Sequence, residues 1–400
     1  MTSFAALVAG HRRGWSLARD FYLDPAVAEA ERARLWHRRW LFAAHGCELP
    51  EPGCFVTLDV AGEPVVVLRD RSRGVRAFAN VCRHRGSRVC TSPAGRAHRL
   101  VCPYHAWTYD LDGRLCSDVR EYGVEPAAHG LRAHHAIEVG GLVFVSLAEA
   151  PPPLEGMDEA FARWLAPQGL AGARIARSVD YRVAANWKVV FENNRECLHC
   201  PGSHPEYIRA NYDIHVLDPR RAAEIEARVA GEGRRWQAMG LEAPTLVSDM
   251  TAAWWRVNRT PLVPGFLTES LDGAPVAPVM GSYPEHDVGT LRATMFPNFW
   301  MHGSGDHAVT TRLLPDGAGH TLVRVAWLVD ARAEEGRDFD PARLMPFWQR
   351  TSEQDWEICE NVQRGIASAH YRPGPFERRR ERNVAQFVDW YLGEMAGGWA

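Results

Sequence analysis

The chain has 400 residues, 46% hydrophobic and 24% charged, with a formal net charge of −3. That leaves room for two or three domains of ordinary globular composition, and the near-neutral balance gives no electrostatic ground for a nucleic-acid partner. No apolar run approaches the length of a membrane span, and the opening M-T-S-F-A-A-L-V-A-G-H-R-R is too weakly apolar for a signal peptide. The expectation is a cytoplasmic protein with no membrane association.

In chain order, Asp24-Pro25 opens a helix, with Asp as N-cap and Pro in the first turn. The helix is expected to run to about Leu41, burying Val27, Leu35 and Trp40. From Gly53 the pattern changes to C-F-V-T-L-D-V, a turn at A-G-E-P, then V-V-V-L-R-D and V-R-A-F-A-N, which read as three strands.

They lead into Cys82-Arg83-His84 and, further on, Cys102-Pro103-Tyr104-His105. Each half sets one Cys and one His at the tip of a loop between strands. Two thiolates on one iron and two imidazoles on the other form the ligand set of a Rieske [2Fe–2S] cluster. A structural zinc site also uses two Cys and two His, but zinc fingers pair Cys with Cys and His with His, whereas each half here mixes them.

After this motif, Leu111-Asp112-Gly113 reads as a hairpin turn, 141–147 as a buried strand, and the Pro-rich 149–155 as a domain boundary. The expected division is an N-terminal helical segment at 1–40, a β domain at 41–150 and a second domain at 151–400. Next come a short amphipathic helix in M-D-E-A-F-A-R-W-L-A and a strand in S-V-D-Y-R-V.

The stretch 186–205, N-W-K-V-V-F-E-N-N-R-E-C-L-H-C-P-G-S-H-P, is expected to be a helix from Trp187 to Cys200, broken by Pro201-Gly202. On such a helix Glu192, Glu196 and His199 would share one face, with His204 close behind. His199 and His204, with a carboxylate supplied from elsewhere, could occupy one face of an Fe(II) ion and leave the other open.

Residues 219–240 read as a solvated charged helix and loop, and 251–281 as loop-rich. T-M-F-P-N-F-W-M-H, A-V-T-T-R-L-L-P and H-T-L-V-R-V-A-W-L-V-D read as antiparallel strands, and 341–368 as a long helix carrying Glu353, Asp355, Glu357 and Glu360.

The odd count of nine cysteines argues against a disulfide framework. Cys47, Cys54, Cys90, Cys116 and Cys359 carry no spacing signal and read as buried small apolar residues. Cys197 and Cys200, in a C-x-x-C, could be a redox pair or half a zinc site, but the iron-site context favours simple packing.

With both metal signatures in this order, the chain resembles the large (alpha) subunit of Rieske-type non-haem iron oxygenases. The stretches E-N-N-R-E-C-L-H-C, T-E-S-L-D-G-A-P-V-A-P and C-E-N-V-Q-R-G-I-A-S-A-H-Y-R-P-G-P-F resemble the members acting on quaternary ammonium compounds: glycine betaine and proline betaine demethylases, and choline and carnitine monooxygenases. Leu198 departs from the Tyr usual there.

The resemblance implies an α+β architecture, with a small antiparallel Rieske domain and a helix-grip catalytic domain in a head-to-tail homotrimer. It implies that Cys82, His84, Cys102 and His105 hold the cluster, and that His199, His204 and Asp355 hold the mononuclear iron. Glu196, three residues before His199, would bridge the two centres by accepting from His105 and His199. O2 would be the cosubstrate, and NAD(P)H electrons would arrive through a separate flavin/iron–sulfur reductase, since the chain has no G-x-G-x-x-G fingerprint. Hydroxylation at an N-methyl group is the expected reaction. Oxygenation of an aromatic or natural-product substrate, or electron transfer alone, are the alternatives. Trp254, Trp255, Tyr207, Tyr212, Phe296, Phe299 and Trp300 are candidates for an aromatic cage around a cation.

Overall fold

The computed structural model describes residues 4–212, 218–243 and 254–397. Met1–Ser3, within the stretch judged too weak for a signal peptide, and Thr251–Ala253, at the start of the loop-rich stretch, lie outside them. No helix among the described residues is long and apolar enough to cross a membrane. The chain forms two compact units: Trp36–Pro153, and Met1–Leu35 together with Leu154–Ala400.

The chain opens with three short helices, α1 (Phe4–Ala9), α2 (Asp20–Leu23) and α3 (Pro25–Glu31). Asp24 caps α3 as expected, its carboxylate accepting from Ala26 N at 2.8 Å. The helix does not reach Leu41. It loosens into a π-helical segment at Arg32–Trp36, and Leu41 already belongs to a strand. Val27, Leu35 and Trp40 are all buried.

The smaller unit is antiparallel β: β1 (Leu41–His45), β2 (Cys54–Val60), β3 (Glu63–Arg69), β4 (Val75–Ala79), β5 (Ala94–Arg96), β6 (Leu100–Val101), β7 (Thr108–Tyr109), β8 (Ala133–Val139) and β9 (Leu142–Ser146). Seven strands form one sheet in the order β1-β9-β8-β4-β3-β2-β5, and β6 pairs with β7. Val65, Val66, Val67 and Leu68 of β3 are all fully buried, so this strand is covered on both faces and its sequence is continuously apolar. The β2–β3 turn sits at Ala61 and Gly62, both with positive φ (51° and 92°), a mirror-image hairpin turn that matches strand twist. Leu111–Gly113 makes the expected turn, closed by Asp110 N donating to Arg114 O at 2.9 Å.

The larger unit holds α4 (Met157–Leu165), β10 (Ala173–Val183), α5 (Trp187–Asn194), α6 (Cys200–Ser203), α7 (Pro205–Ala210), α8 (Pro219–Ala238), β11 (Trp255–Thr260), β12 (Thr290–Met295), β13 (Phe299–Gly303), β14 (Ala308–Asp316), β15 (His320–Asp330), α9 (Pro341–Leu344), α10 (Pro346–Ala367) and α11 (Arg382–Ala396). Its six strands form an antiparallel sheet in the order β10-β15-β14-β13-β12-β11, and α5 packs on both α10 and α11. This is the α+β, strands-then-helix arrangement expected.

The detail differs in four places. T-M-F-P-N-F-W-M-H is a hairpin of two strands, turned at Phe296-Pro297, and not one strand. Part of the loop-rich stretch is the edge strand β11. The C-terminal helix is interrupted before Pro346, where proline starts α10 instead of continuing α9. The helix α11 follows, with Val384, Phe387, Val388, Tyr391 and Met395 buried on one side.

The position of α5 is fixed by a buried polar knot. Lys188 Nζ lies 2.5 Å from Glu31 Oε1, and Tyr391 Oη and Trp187 Nε1 donate to the same carboxylate at 2.6 and 2.9 Å. These bonds offset the desolvation of a charge pair that is almost wholly shielded from water. Phe191 of α5 stacks on Phe387 of α11 at 4.9 Å between ring centres. These contacts anchor the N-terminal end of the stretch 186–205.

Candidate metal centres

In the smaller unit the four residues of the Cys-His motifs come together. Cys82 and Cys102 are buried and their thiols approach each other, while His84 is half-buried and His105 exposed, with ring centres 4.6 Å apart. The two loops repeat one turn. Gly86 N donates to Cys82 O and Ala106 N to Cys102 O, each at 3.0 Å, and both residues have positive φ (77° and 56°). Trp107 lies flat under His84, 5.0 Å between ring centres and 9° between planes. Tyr109 Oη sits 3.3 Å from Cys82 Sγ and accepts from Arg83 N at 2.9 Å. Two buried sulfurs and two more exposed imidazoles fit the donor set of a Rieske [2Fe–2S] cluster, which these four residues would hold.

In the larger unit α5 is capped by the Asn186 side chain, which accepts from Lys188 N at 3.0 Å, but it ends at Asn194. The expected helix to Cys200 does not form, so Glu192, Glu196 and His199 do not share a helical face. Two consecutive asparagines weaken the end of the helix. Glu196 then uses its carboxylate locally, accepting from Leu198 N through Oε2 and from His199 Nδ1 through Oε1 at 2.5 Å. Pro201 starts the next turn, α6, instead of breaking a helix.

Cys197 and Cys200 flank His199 and are joined by a disulfide, correcting the reading of this pair as simple packing. Three positions apart in a tight turn, their Cα atoms lie 5.0 Å apart, within bridging range. Of the other thiols, Cys90 and Cys359 are buried, but Cys47, Cys54 and Cys116 are only half-buried.

Asp355 of α10 completes the site. His199 Nε2 and His204 Nε2 both reach its Oδ1, at 3.2 and 3.0 Å. Metal bonds of about 2.1 Å at right angles separate donors by about 3 Å, so this spacing fits three ligands on one face of an ion. Cys200 Sγ lies near the imidazoles but is committed to its disulfide. The neighbouring acids of α10 point elsewhere: Glu353 accepts from Tyr181 Oη at 3.3 Å and Glu360 from Ala184 N at 3.0 Å.

Burial works against a charged His199, but bonds to Asp355 and Glu196 outweigh it and push the imidazole up to about 9. His204 is raised in the same way, by Asp355 against burial, and Asp355 is held below the carboxylate range by both histidines despite its own burial. His204 Nδ1 pairs with Gln354 Oε1 at 2.7 Å, an orienting contact that spacing alone did not suggest.

These groups line one shared cavity. Tyr207, Tyr212 and Trp300 of the expected cage residues face it. Trp254, Trp255, Phe296 and Phe299 do not: Trp254 donates to Glu155 at 2.8 Å, Trp255 packs on Phe161, Phe296 lies against Phe191 and Phe387, and Phe299 is fully buried. Trp348, missed from the sequence, also lines the cavity. It lies seven residues before Asp355 on α10, a helical spacing that signalled the shared face. Arg195, Arg256 and Arg292 are further unanticipated lining residues.

Residues 170–397 match the family described as "Ring hydroxylating alpha subunit (catalytic domain)", and residues 39–122 match the "Rieske [2Fe-2S] domain". The chain is 40% identical over 385 residues to the glycine betaine monooxygenase oxygenase subunit of Chromohalobacter salexigens, covering 95% of this chain and 86% of that protein. It is 38% identical over 395 residues to the subunit of the same name from Pseudomonas aeruginosa strain UCBPP-PA14, covering 98% and 91%. In fold it is similar to the quaternary ammonium Rieske monooxygenase CntA, with a TM-score of 0.75 over 99% of both chains at 23% identity.

Proposed function

The chain belongs to the Rieske-type non-haem iron oxygenases, as a large (alpha) subunit, and from that premise we propose that it oxidatively removes an N-methyl group from a small quaternary ammonium compound. The observation that carries the reading is the convergence of two imidazole nitrogens on one carboxylate oxygen at the wall of a cavity that also presents Tyr207, Tyr212, Trp300 and Trp348. A methylated ammonium group cannot donate a hydrogen bond, and aromatic faces attract it at about 0.5–1 kcal/mol each, up to ~2 when desolvated. Both relatives above are named for glycine betaine, which carries such a group.

We assign Cys82, His84, Cys102 and His105 to the cluster and His199, His204 and Asp355 to the mononuclear iron. When bound, these centres supply stored single electrons and an open coordination face for O2. The chain's own side chains do the rest. Glu196 fixes the His199 tautomer by accepting from Nδ1, leaving Nε2 for the metal, and Gln354 does the same for His204. Aromatic rings hold the cation so that one methyl faces the iron side and water is kept from it. With O2, two electrons and two protons, that methyl becomes N-hydroxymethyl and one water is released. The product loses a proton and splits its C–N bond, giving formaldehyde and the demethylated amine.

In this reading the enzyme is a homotrimer in which His105 of one protomer faces Glu196 of the next. Residues 41–150 serve as the electron-storing domain and 151–400 as the catalytic one. It works in the cytoplasm with a separate NAD(P)H-dependent flavin/iron–sulfur reductase. With a surrogate reductase, glycine betaine, proline betaine, carnitine and choline are expected to give formaldehyde or a hydroxylated product and matching O2 uptake within this cation set, with a neutral aromatic giving none. Coupled turnover of the aromatic and of no cation would move the protein to the aromatic-oxygenating class.

A further inference from the structure

The cavity carries more positive charge than its own acids account for. In the β11–β12 pair, Arg256 faces Thr294 and Asn258 faces Arg292. Side chains two apart on a strand share a face, so Arg256 and Arg292 are diagonal neighbours on one wall of the cavity. Thr294 pairs with Trp300 and Arg292 with His302, extending the same wall across β13. Trp348, Thr351 and Asp355 of α10 line the cavity with them.

The acids are already engaged. Glu196 and Asp355 are held by the histidines. Glu269, deeply buried within the T-E-S-L-D-G stretch, accepts from Asn211 at 3.1 Å, Thr290 at 3.2 Å and Trp348 at 3.3 Å. Arg292 donates to Asn211 Oδ1 at 2.7 Å, and together with His302 it holds Glu269 below the carboxylate range although burial alone would raise it. Arg292 thus has a counter-charge inside the protein.

Arg256 does not. It has no hydrogen bond or ion pair among the described residues, its charge is felt by the cavity cation Arg195, and the charged groups that lower it are the cations Arg292 and Arg382. Burial, with those two neighbours, pushes its guanidinium down to about 10. An unmatched guanidinium in a half-buried wall is costly, and an anion entering the cavity would offset that cost. A planar fork with five donors suits a carboxylate, which it can grip through two parallel hydrogen bonds.

We propose that Arg256, backed by Arg292, is the carboxylate-reading subsite of the iron cavity, so that the preferred substrate is a zwitterion with its methylated ammonium on the aromatic side and a carboxylate on the arginine side. This rests on the oxygenase reading above and narrows it to amino-acid betaines over amino alcohols. Arg256 is a specificity residue in this role and takes no part in the oxidation.

Glycine betaine and choline make a matched pair of probes, sharing the trimethylammonium group and differing in carboxylate against hydroxyl. With the holoenzyme and reductase, wild type is expected to prefer glycine betaine in kcat/KM. R256Q should lower that preference about 100-fold, mainly through a raised KM for glycine betaine, and R256K should recover part of it by keeping the charge without the fork. Iron content and the EPR signal of the reduced cluster should match wild type, separating the effect from a damaged site. Calorimetric binding of both probes to oxidised holoenzyme, without reductase, gives a second readout. There too, glycine betaine should lose affinity about 100-fold in R256Q while the loss for choline is far smaller. Equal losses for both probes, or an unchanged KM and affinity for glycine betaine, would overturn the proposal. If wild type oxidises neither probe nor any other cation of the set, the demethylase reading fails, and the binding comparison still decides the carboxylate subsite by itself.

Discussion

The two candidate centres are assembled in opposite ways. The four donors of the smaller unit come from two loops that repeat the same turn, each closed by a backbone bond back to its own cysteine. The three donors of the larger unit come from His199, His204 and Asp355, with the carboxylate 156 and 151 positions from the imidazoles. A site of the first kind depends on local turn chemistry. A site of the second kind exists only while α10 is packed against the segment that follows α5, so its integrity is tied to the stability of the whole unit.

Removing one donor from each side tests the difference most strongly. Asp355→Ala should lower iron from roughly three to two per chain with labile sulfide unchanged, and Cys102→Ser should remove the sulfide and leave about one iron. Turnover falls to background in both. Iron and sulfide assays with EPR check this, and a variant that empties both sites would show that the centres are not built independently.

Next in size is a pH effect confined to the larger unit. Burial pushes the Glu192 carboxyl up to about 7, against the lowering influence of the Tyr22 hydroxyl and Lys188. A carboxyl raised in the folded state keeps its proton where the unfolded chain, at 4.5, has lost it. Stability is therefore greatest below that value and declines as pH rises to about 7, by about 3 kcal/mol in all. Denaturant unfolding at about pH 5 and about pH 8 should show this decline in wild type and not in Glu192→Gln. An equal decline in both would mean that Glu192 is ionised in the fold.

A smaller effect is expected at Glu196, which accepts from His199 Nδ1 and is assigned above to bridging and not to ligation. Glu196→Gln should lower turnover about 10–100-fold while the cluster still reduces and mononuclear iron stays bound. Near-native turnover would end its assignment as the bridging carboxylate. The smallest effect belongs to the local site. Tyr109→Phe removes the hydroxyl beside Cys82 Sγ, which stabilises added negative charge on sulfur, so the cluster's midpoint potential should drop modestly in a redox titration. An unchanged potential would mean that the contact does not act on the cluster.

Legibility followed the same division. The strands β2, β3, β4 and β9 of the smaller unit and its hairpin turns were readable because alternation, glycine placement and turn residues act over a few positions, whereas β1, β8 and the short β5, β6 and β7 were not read. The region after α5 was misread because propensity favours a helix through Cys200, while the Glu196 carboxylate, bonded to Leu198 N and His199 Nδ1, holds a turn in its place. Cys197 and Cys200 offered a spacing that suits several pairings, and only their closeness in that turn selected a disulfide. The cage aromatics were the least legible. Trp300 and Phe299 are neighbours in sequence, yet strand alternation sends one to the cavity and the other into the core.

Residue types and spacing set the chemistry available: two Cys-His pairs with the ligand types of one cluster, and two histidines five positions apart that could share one ion. Which acid joins them was named by the family resemblance, as Asp355, and not by spacing. Glu353, Asp355, Glu357 and Glu360 crowd one helix, and composition does not rank them. Successive side chains on a helix are turned by about 100°, so the rotation at which α10 packs presents one of these acids to the imidazoles and turns Glu353 and Glu360 toward Tyr181 and Ala184. The same holds for Arg256 and Arg292, ordinary charges in the sequence, which a two-residue register offset between β11 and β12 brings together on the cavity wall. Residue identity supplied the donors, and packing decided which of them meet.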